Sequence, residues 1–73
     1  MGGSKNIRFA DMVNLVRGFG FELSRTEGSH HIFFRPDIPE LVNLQNVKGQ
    51  AKPYQIRQFL KLVEKHNLKL EDD

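Results

Sequence analysis

The sequence predicts an α+β domain of order αβββα, a three-stranded antiparallel sheet with two helices packed on one face. Three observations predict it. Apolar residues recur with helical spacing near both ends, alternate with a period of two between them, and are separated by glycine- and proline-bearing turns. Placing both helices on one side of a meander lets all the apolar stripes share one core and leaves the opposite sheet face free.

In "NIRFADMVNLVRGFGF", Phe9, Met12, Val13 and Val16 fall at i, i+3, i+4 and i+7, one face of a helix. Gly18 and Gly20 follow, and glycine readily adopts the left-handed conformation that ends helices, so a helix of about three turns should stop near Gly18. In "FELSRTEG", Phe21 and Leu23 alternate with Glu22 and Ser24, as a half-buried strand requires. The turn signal "EGS" (Glu27–Ser29) leads into "HHIFF" as a second strand. Pro36 and Pro39 bracket a loop, after which "LVNLQN" (Leu41–Asn46) is again strand-like, and "VKGQAKP" (Val47–Pro53) reads as a polar loop. Pro53 suits the first turn of a helix, where a missing N–H costs nothing. Beyond it Ile56, Phe59, Leu60 and Val63, with Leu62 at the border, form a broad apolar face, and Arg57, Gln58, Lys61 and Lys65 fall largely opposite.

At 73 residues the chain is read as one domain, with residues 1–5 a flexible start (Met1–Ser4 resembling an expression remnant) and residues 71–73 an acidic tail. A domain this small buries only about 60% of the surface its unfolded chain exposes, so the core must be lean. The absence of cysteine excludes disulfides and thiolate metal sites, and fits a reducing compartment. No apolar run approaches the roughly 20 residues of a membrane span and the N-terminus lacks a secretion signal's apolar core, so the expected location is the cytoplasm. The net charge of +2 hides an uneven distribution. Three of nine acids close the chain, so residues 1–70 carry 11 bases against 6 acids, or +5. Such a body attracts polyanions through counterion release.

The adjacent histidines of "EGSHHIFFRP" are open to three readings, as packing residues, as metal ligands or as part of an active site. Strand alternation sends His30, Ile32 and Phe34 to one face, and His31, Phe33 and Arg35 to the other. With Phe33 turned inward, His30 stands on the free face beside partly exposed Ile32 and Phe34, a patch of the kind that marks contact surfaces. Neighbouring strand residues point oppositely and cannot share one ion. His66 has no evident carboxylate partner, so no metal site is predicted. A histidine on a strand is commonly structural, satisfied by water. Its alternative use is proton transfer, since an unperturbed imidazole titrates near pH ~6.5 and offers both states around neutrality. Gly28 supplies a tight turn and room for a phosphate to approach, while Ser29 is placed for its hydroxyl to bond nearby backbone. His31 is expected to be partly buried near Phe33, with a role in supporting His30 left open.

From about Asn6 to Leu68 the chain resembles the HicA family of bacterial toxins, through "GFGFELSRTEGSHHIFFRP", a further strand, and "GQAKPYQIRQFLKLVEKHNL". The most specific element is Gly28, Ser29 and His30 followed by Phe33 in an aromatic strand, and the turn from Gly18 to Gly20 matches too. These toxins are small ribonucleases of type II toxin–antitoxin modules with a fold like the double-stranded-RNA-binding domain. The resemblance implies cleavage of messenger RNA with His30 as the catalytic residue and a restraining partner of the HicB antitoxin type; no cofactor is expected. Many members carry a Pro-x-His-type segment at the end of the third strand, where this chain reads "VNLQN" (Val42–Asn46).

Cleaving RNA through its own 2′-hydroxyl requires a base, an acid for the departing 5′-oxygen, and cations at the phosphate. Arg25 and Arg35, near the ends of the strands flanking His30, are the expected source of that charge, with Gly28, Ser29 and His31 in support. Lys48 and Lys52 lie on a loop entering a helix N-terminus, where phosphate is attracted. Lys52, Gln55 and Arg57, with Lys61, are the expected RNA-backbone contacts. The same fold and charge would also serve a non-catalytic RNA-binding module that reads A-form shape, or a protein-interaction domain that docks on an acidic partner.

Overall fold

The computed structural model describes residues 6–71; the expected flexible start and the end of the acidic tail lie outside the described residues. A short β1 (Ile7–Arg8) precedes α1 (Phe9–Gly18). The strands β2 (Glu22–Glu27), β3 (His30–Phe34) and β4 (Val42–Gln45) form an antiparallel sheet in the order β2–β3–β4. β5 (Gln50–Ala51) then pairs with β1, and α2 (Pro53–His66) completes the α+β architecture predicted from the periodicities. The β1–β5 ribbon is additional. Phe9 N–H donates to the Gly49 carbonyl at 2.8 Å, and Asn6 Nδ2 donates to Gln50 Oε1 at 2.7 Å, so the polar loop is tied to the start of α1.

The first helix ends as its glycines indicate, with Gly20 rather than Gly18 in the left-handed region at φ +92°. Gly20 N–H donates to the Arg17 carbonyl and Phe21 N–H to that of Val16, which is the bonding of a Schellman motif. That motif turns the chain so that Val16 and Phe21 enter one core. Asn67 closes α2 in the same way, at φ 52°.

One core holds Phe9, Met12 and Val16 of α1, Phe59 of α2, and Phe33, Val42 and Leu44 from a single sheet face, so both helices cover that face. Phe59 meets Phe19 and Phe21 edge-on, each with centroids 5.6 Å apart, the favoured aromatic geometry. Phe33 therefore points inward, as expected. Three expectations about burial do not hold. Leu23 is 50% exposed, because β2 is an edge strand whose register shifts after it, and Phe21, preceding the strand, reaches the core instead. Leu60 is 44% exposed, because the inward face of α2 centres on buried Gln55 and Phe59, with Ile56, Leu62 and Val63 partly buried beside them. Ile32, expected on the free face as partly exposed, is only 6% exposed; its cross-strand neighbours there are Arg25 and Asn43, whose chains flank it on both sides.

His66, which lacked an evident partner in the sequence, finds one 26 positions earlier. Its Nε2 donates to Glu40 Oε1 at 2.8 Å while Lys65 Nζ donates to Glu40 Oε2 at 2.6 Å, clasping the end of α2 to the segment entering β4. The hydrogen bond from Lys65, and then that from His66, hold the Glu40 carboxyl down at about 2 from its ordinary 4.5. A carboxyl depressed in the folded state stabilises it above the ordinary value, and that contribution fades as pH falls toward the depressed one. Glu40→Gln should therefore lower the thermal midpoint at neutral pH, with the difference from the parent shrinking between about 4.5 and about 2. A pH-independent difference would show that the clasp does not act through this charge.

Candidate active site on the open sheet face

The pairing of Glu27 with His30 leaves Gly28 and Ser29 as a two-residue hairpin loop. Gly28 has φ +58°, as the first position of a type II′ turn demands, and a Cβ added there would meet nothing within 4 Å. Backbone conformation, rather than crowding, calls for glycine here. Ser29 acts through its carbonyl, which accepts from Asn46 N–H at 2.9 Å and from His31 Nδ1 at 3.3 Å. The turn between β2 and β3 is thereby pinned to the end of β4.

The alternation of β3 places the two histidines on opposite faces. His31 turns toward the helices, half-buried, with its ring 4.8 Å from that of Phe9, so it packs on the start of α1. His30 is exposed on the face without helices. There it lies across from Glu27 of β2 and Gln45 of β4. Its Nδ1 stands 3.0 Å from Oδ1 of Asn43, the diagonal neighbour on β4. Arg25 shares this face, one row from His30, and its Nε donates to Glu27 Oε2 at 2.6 Å.

Other expected contributors are scattered. Arg35 follows the far end of β3, about 16 Å from His30 along the strand. Its Nη1 donates to the Phe19 carbonyl at 2.7 Å and its Nε to Asp37 at 2.8 Å, so it clamps the α1 terminus to the following loop. The structure does not bring Arg35 to His30. Nor does Gln55 face solvent. It is 6% exposed, and its Oε1 is buried without a hydrogen-bond partner, which rules it out as a backbone contact for RNA in this conformation. Lys48 (φ 54°) and Gly49 (φ 82°) form a two-residue turn between the bridged Val47 and Gln50. Positive φ at both positions is the type I′ pattern. This exposed turn follows β4 at the same end of the sheet as His30. Lys52, half-buried, precedes α2, while Arg57 and Lys61 are exposed on that helix, which covers the opposite sheet face.

Sequence reasoning missed two neighbours of His30, namely Asn43 and Glu27. Both follow from register, since pairing His30 with Gln45 puts Asn43 one step along the same face. His30 occupies an open surface. His30 lines neither the concavity of about 470 Å³ (lined by Arg17, Phe21, Leu23 and Glu71 among others) nor that of about 190 Å³ between β4 and α2, which reaches Asn43. A flat site of this kind suits a long polymer better than a small molecule, which binds in clefts.

Among the described residues no helix is long and apolar enough to cross a membrane. Comparison with curated proteins and with solved structures gave no match. A family model described as the HicA toxin of bacterial toxin–antitoxin matches residues 9–64, from the first residue of α1 into the last turn of α2, and so contains the whole sheet and the His30 site. With most of its length matched, the chain belongs to the HicA toxin family of bacterial toxin–antitoxin systems.

Proposed function

We propose that this protein is a metal-independent endoribonuclease that cuts messenger RNA in the cytoplasm, with His30 moving the protons. The observation that carries this reading is an exposed imidazole on an uncovered sheet face, in a chain of a toxin family. His30 removes the proton of a ribose 2′-hydroxyl, and the resulting oxygen attacks the adjacent phosphorus. A 2′,3′-cyclic phosphate forms as the bond to the 5′-oxygen breaks, and that oxygen takes up a proton. Arg25, one row away, supplies positive charge toward the phosphate, and Glu27 tethers it. Gly28 leaves open space at the turn where the backbone of the RNA would pass. His31 and Ser29 support the site by holding the hairpin against α1 and β4. Lys48 continues the cationic track at the same end, with Lys52 behind it, and Arg57 and Lys61 reach RNA only if it wraps onto α2.

A toxin must be restrained before it acts, and an antitoxin of the HicB type would do so by covering His30 and the open face. Because Glu22 and Glu27 lie there beside Arg25, the covering surface needs charges of both signs. The function is tested by incubating purified protein, in a metal chelator, with an RNA and with the same RNA carrying 2′-deoxyribose at the cut position. The expected result is a cut all-ribose strand ending in a cyclic phosphate, and an intact substituted strand. Uncut RNA in the first case, or equal cutting of both, would overturn the proposal.

A further inference from the structure

We propose that Asn43 is a positioning residue, which fixes the tautomer of His30 so that Nε2 is the free base facing the substrate. The inference deepens the ribonuclease reading and rests on it for its catalytic consequence, but not for its structural content. The carbonyl oxygen of an amide only accepts hydrogen bonds, so with Asn43 Oδ1 3.0 Å from Nδ1, that nitrogen carries the hydrogen. In a neutral imidazole the lone pair is then on Nε2. Nε2 has no hydrogen-bond partner among the described residues, and the side chain is exposed. The remaining candidates for orienting the ring are otherwise engaged or differently placed. Glu27, directly across on β2, holds Arg25 at 2.6 Å, and Gln45 lies directly across on β4 rather than on the diagonal.

The observed orientation of the amide, with Oδ1 toward Nδ1, also suits what the ring must do. A general base becomes an imidazolium during the reaction, and its Nδ1–H then needs an acceptor. Asn43 Oδ1 serves the neutral and the charged ring alike, whereas an amide NH₂ turned toward Nδ1 would bond only the neutral ring and repel the cation. The oxygen-inward arrangement stabilises the charged ring as it forms. It also keeps the ring from rotating away while RNA is bound. A hydrogen bond to a charged group is worth roughly 10–100-fold in an equilibrium or rate.

The ¹⁵N chemical shifts of the His30 ring nitrogens report the tautomer directly and need no RNA. In the parent protein the neutral ring should carry its hydrogen on Nδ1. Asn43→Ala should lose that bias and lower kcat by about 10-fold or more with little change in KM. Asn43→Asp retains the acceptor, so it should keep the tautomer. Its carboxylate favours the imidazolium, so it should shift the base limb of the pH–rate profile to higher pH. A residue that merely supported the fold would not move that limb. The proposal is overturned if the parent ring is mainly hydrogenated on Nε2, or if Asn43→Ala leaves both the tautomer and kcat unchanged. If the tautomer depends on Asn43 and RNA is never cut, the positioning stands and the ribonuclease reading is what fails.

Discussion

Truncating Phe33 to alanine should destabilise the fold by about 3–5 kcal/mol, the usual cost of removing a buried aromatic ring. Phe33 is among the most completely buried side chains, 1% exposed, next to last in β3 and on the face that both helices cover. At roughly 0.05–0.15 kcal/mol per residue, a chain of this length has only about 4–11 kcal/mol in total. The truncation therefore removes a large share of the total stability. The neighbouring rings do not fill the space, since Phe59 is already packed edge-on against both Phe19 and Phe21. Urea titration measures the effect as a lower midpoint with a nearly unchanged slope. A loss below about 1 kcal/mol would show that the core collapses around the gap and is not closely packed there. The same substitution at Leu60, exposed on α2, should change stability by no more than about 0.5 kcal/mol, which makes it the natural control.

How much of this fold was legible in the sequence depended on the length of each pattern. Both long helices and the β3 alternation are repeated often enough to be read, and the glycine turn after α1 follows directly from backbone stereochemistry. Two-residue strands show no periodicity, so the β1–β5 ribbon was invisible within a stretch that reads as polar loop. Leu23 and Leu60 were misplaced because an apolar residue in the right phase is buried only if another element reaches it, and here none does. Gln55 erred in the other direction, as a polar residue in phase with Phe59 that the helix carries inside.

The site was partly legible for a related reason. Local alternation sufficed to separate His30 from His31. The partners of His30 come from other strands and require a register, which is a long-range property. Arg35 was drawn into the site because it is near in sequence, yet β3 is extended and carries it away, to a carbonyl at the end of α1. Glu40, joined to Lys65 and His66 across more than twenty positions, was beyond local pattern altogether.

Replacing His30 by alanine should reduce RNA cleavage by about 10²–10⁴-fold, the contribution of a well-placed general base. The side chain is exposed and contributes nothing to the core, so the fold should be retained. Its loss removes only the hydrogen bond to Asn43 on the surface, where a polar group left behind is satisfied by water. Arg25, Lys48 and the rest of the cationic surface remain, so RNA binding should be nearly unaffected and the deficit should lie in the chemical step. The most direct measurement is the single-turnover rate at which folded His30→Ala cuts a short RNA in chelator, beside the parent protein, with circular dichroism and thermal midpoint recorded for both. Matching spectra and midpoints are expected, with a rate lower by about two to four powers of ten. A folded variant that cuts at the parent rate would show that His30 does not move the protons.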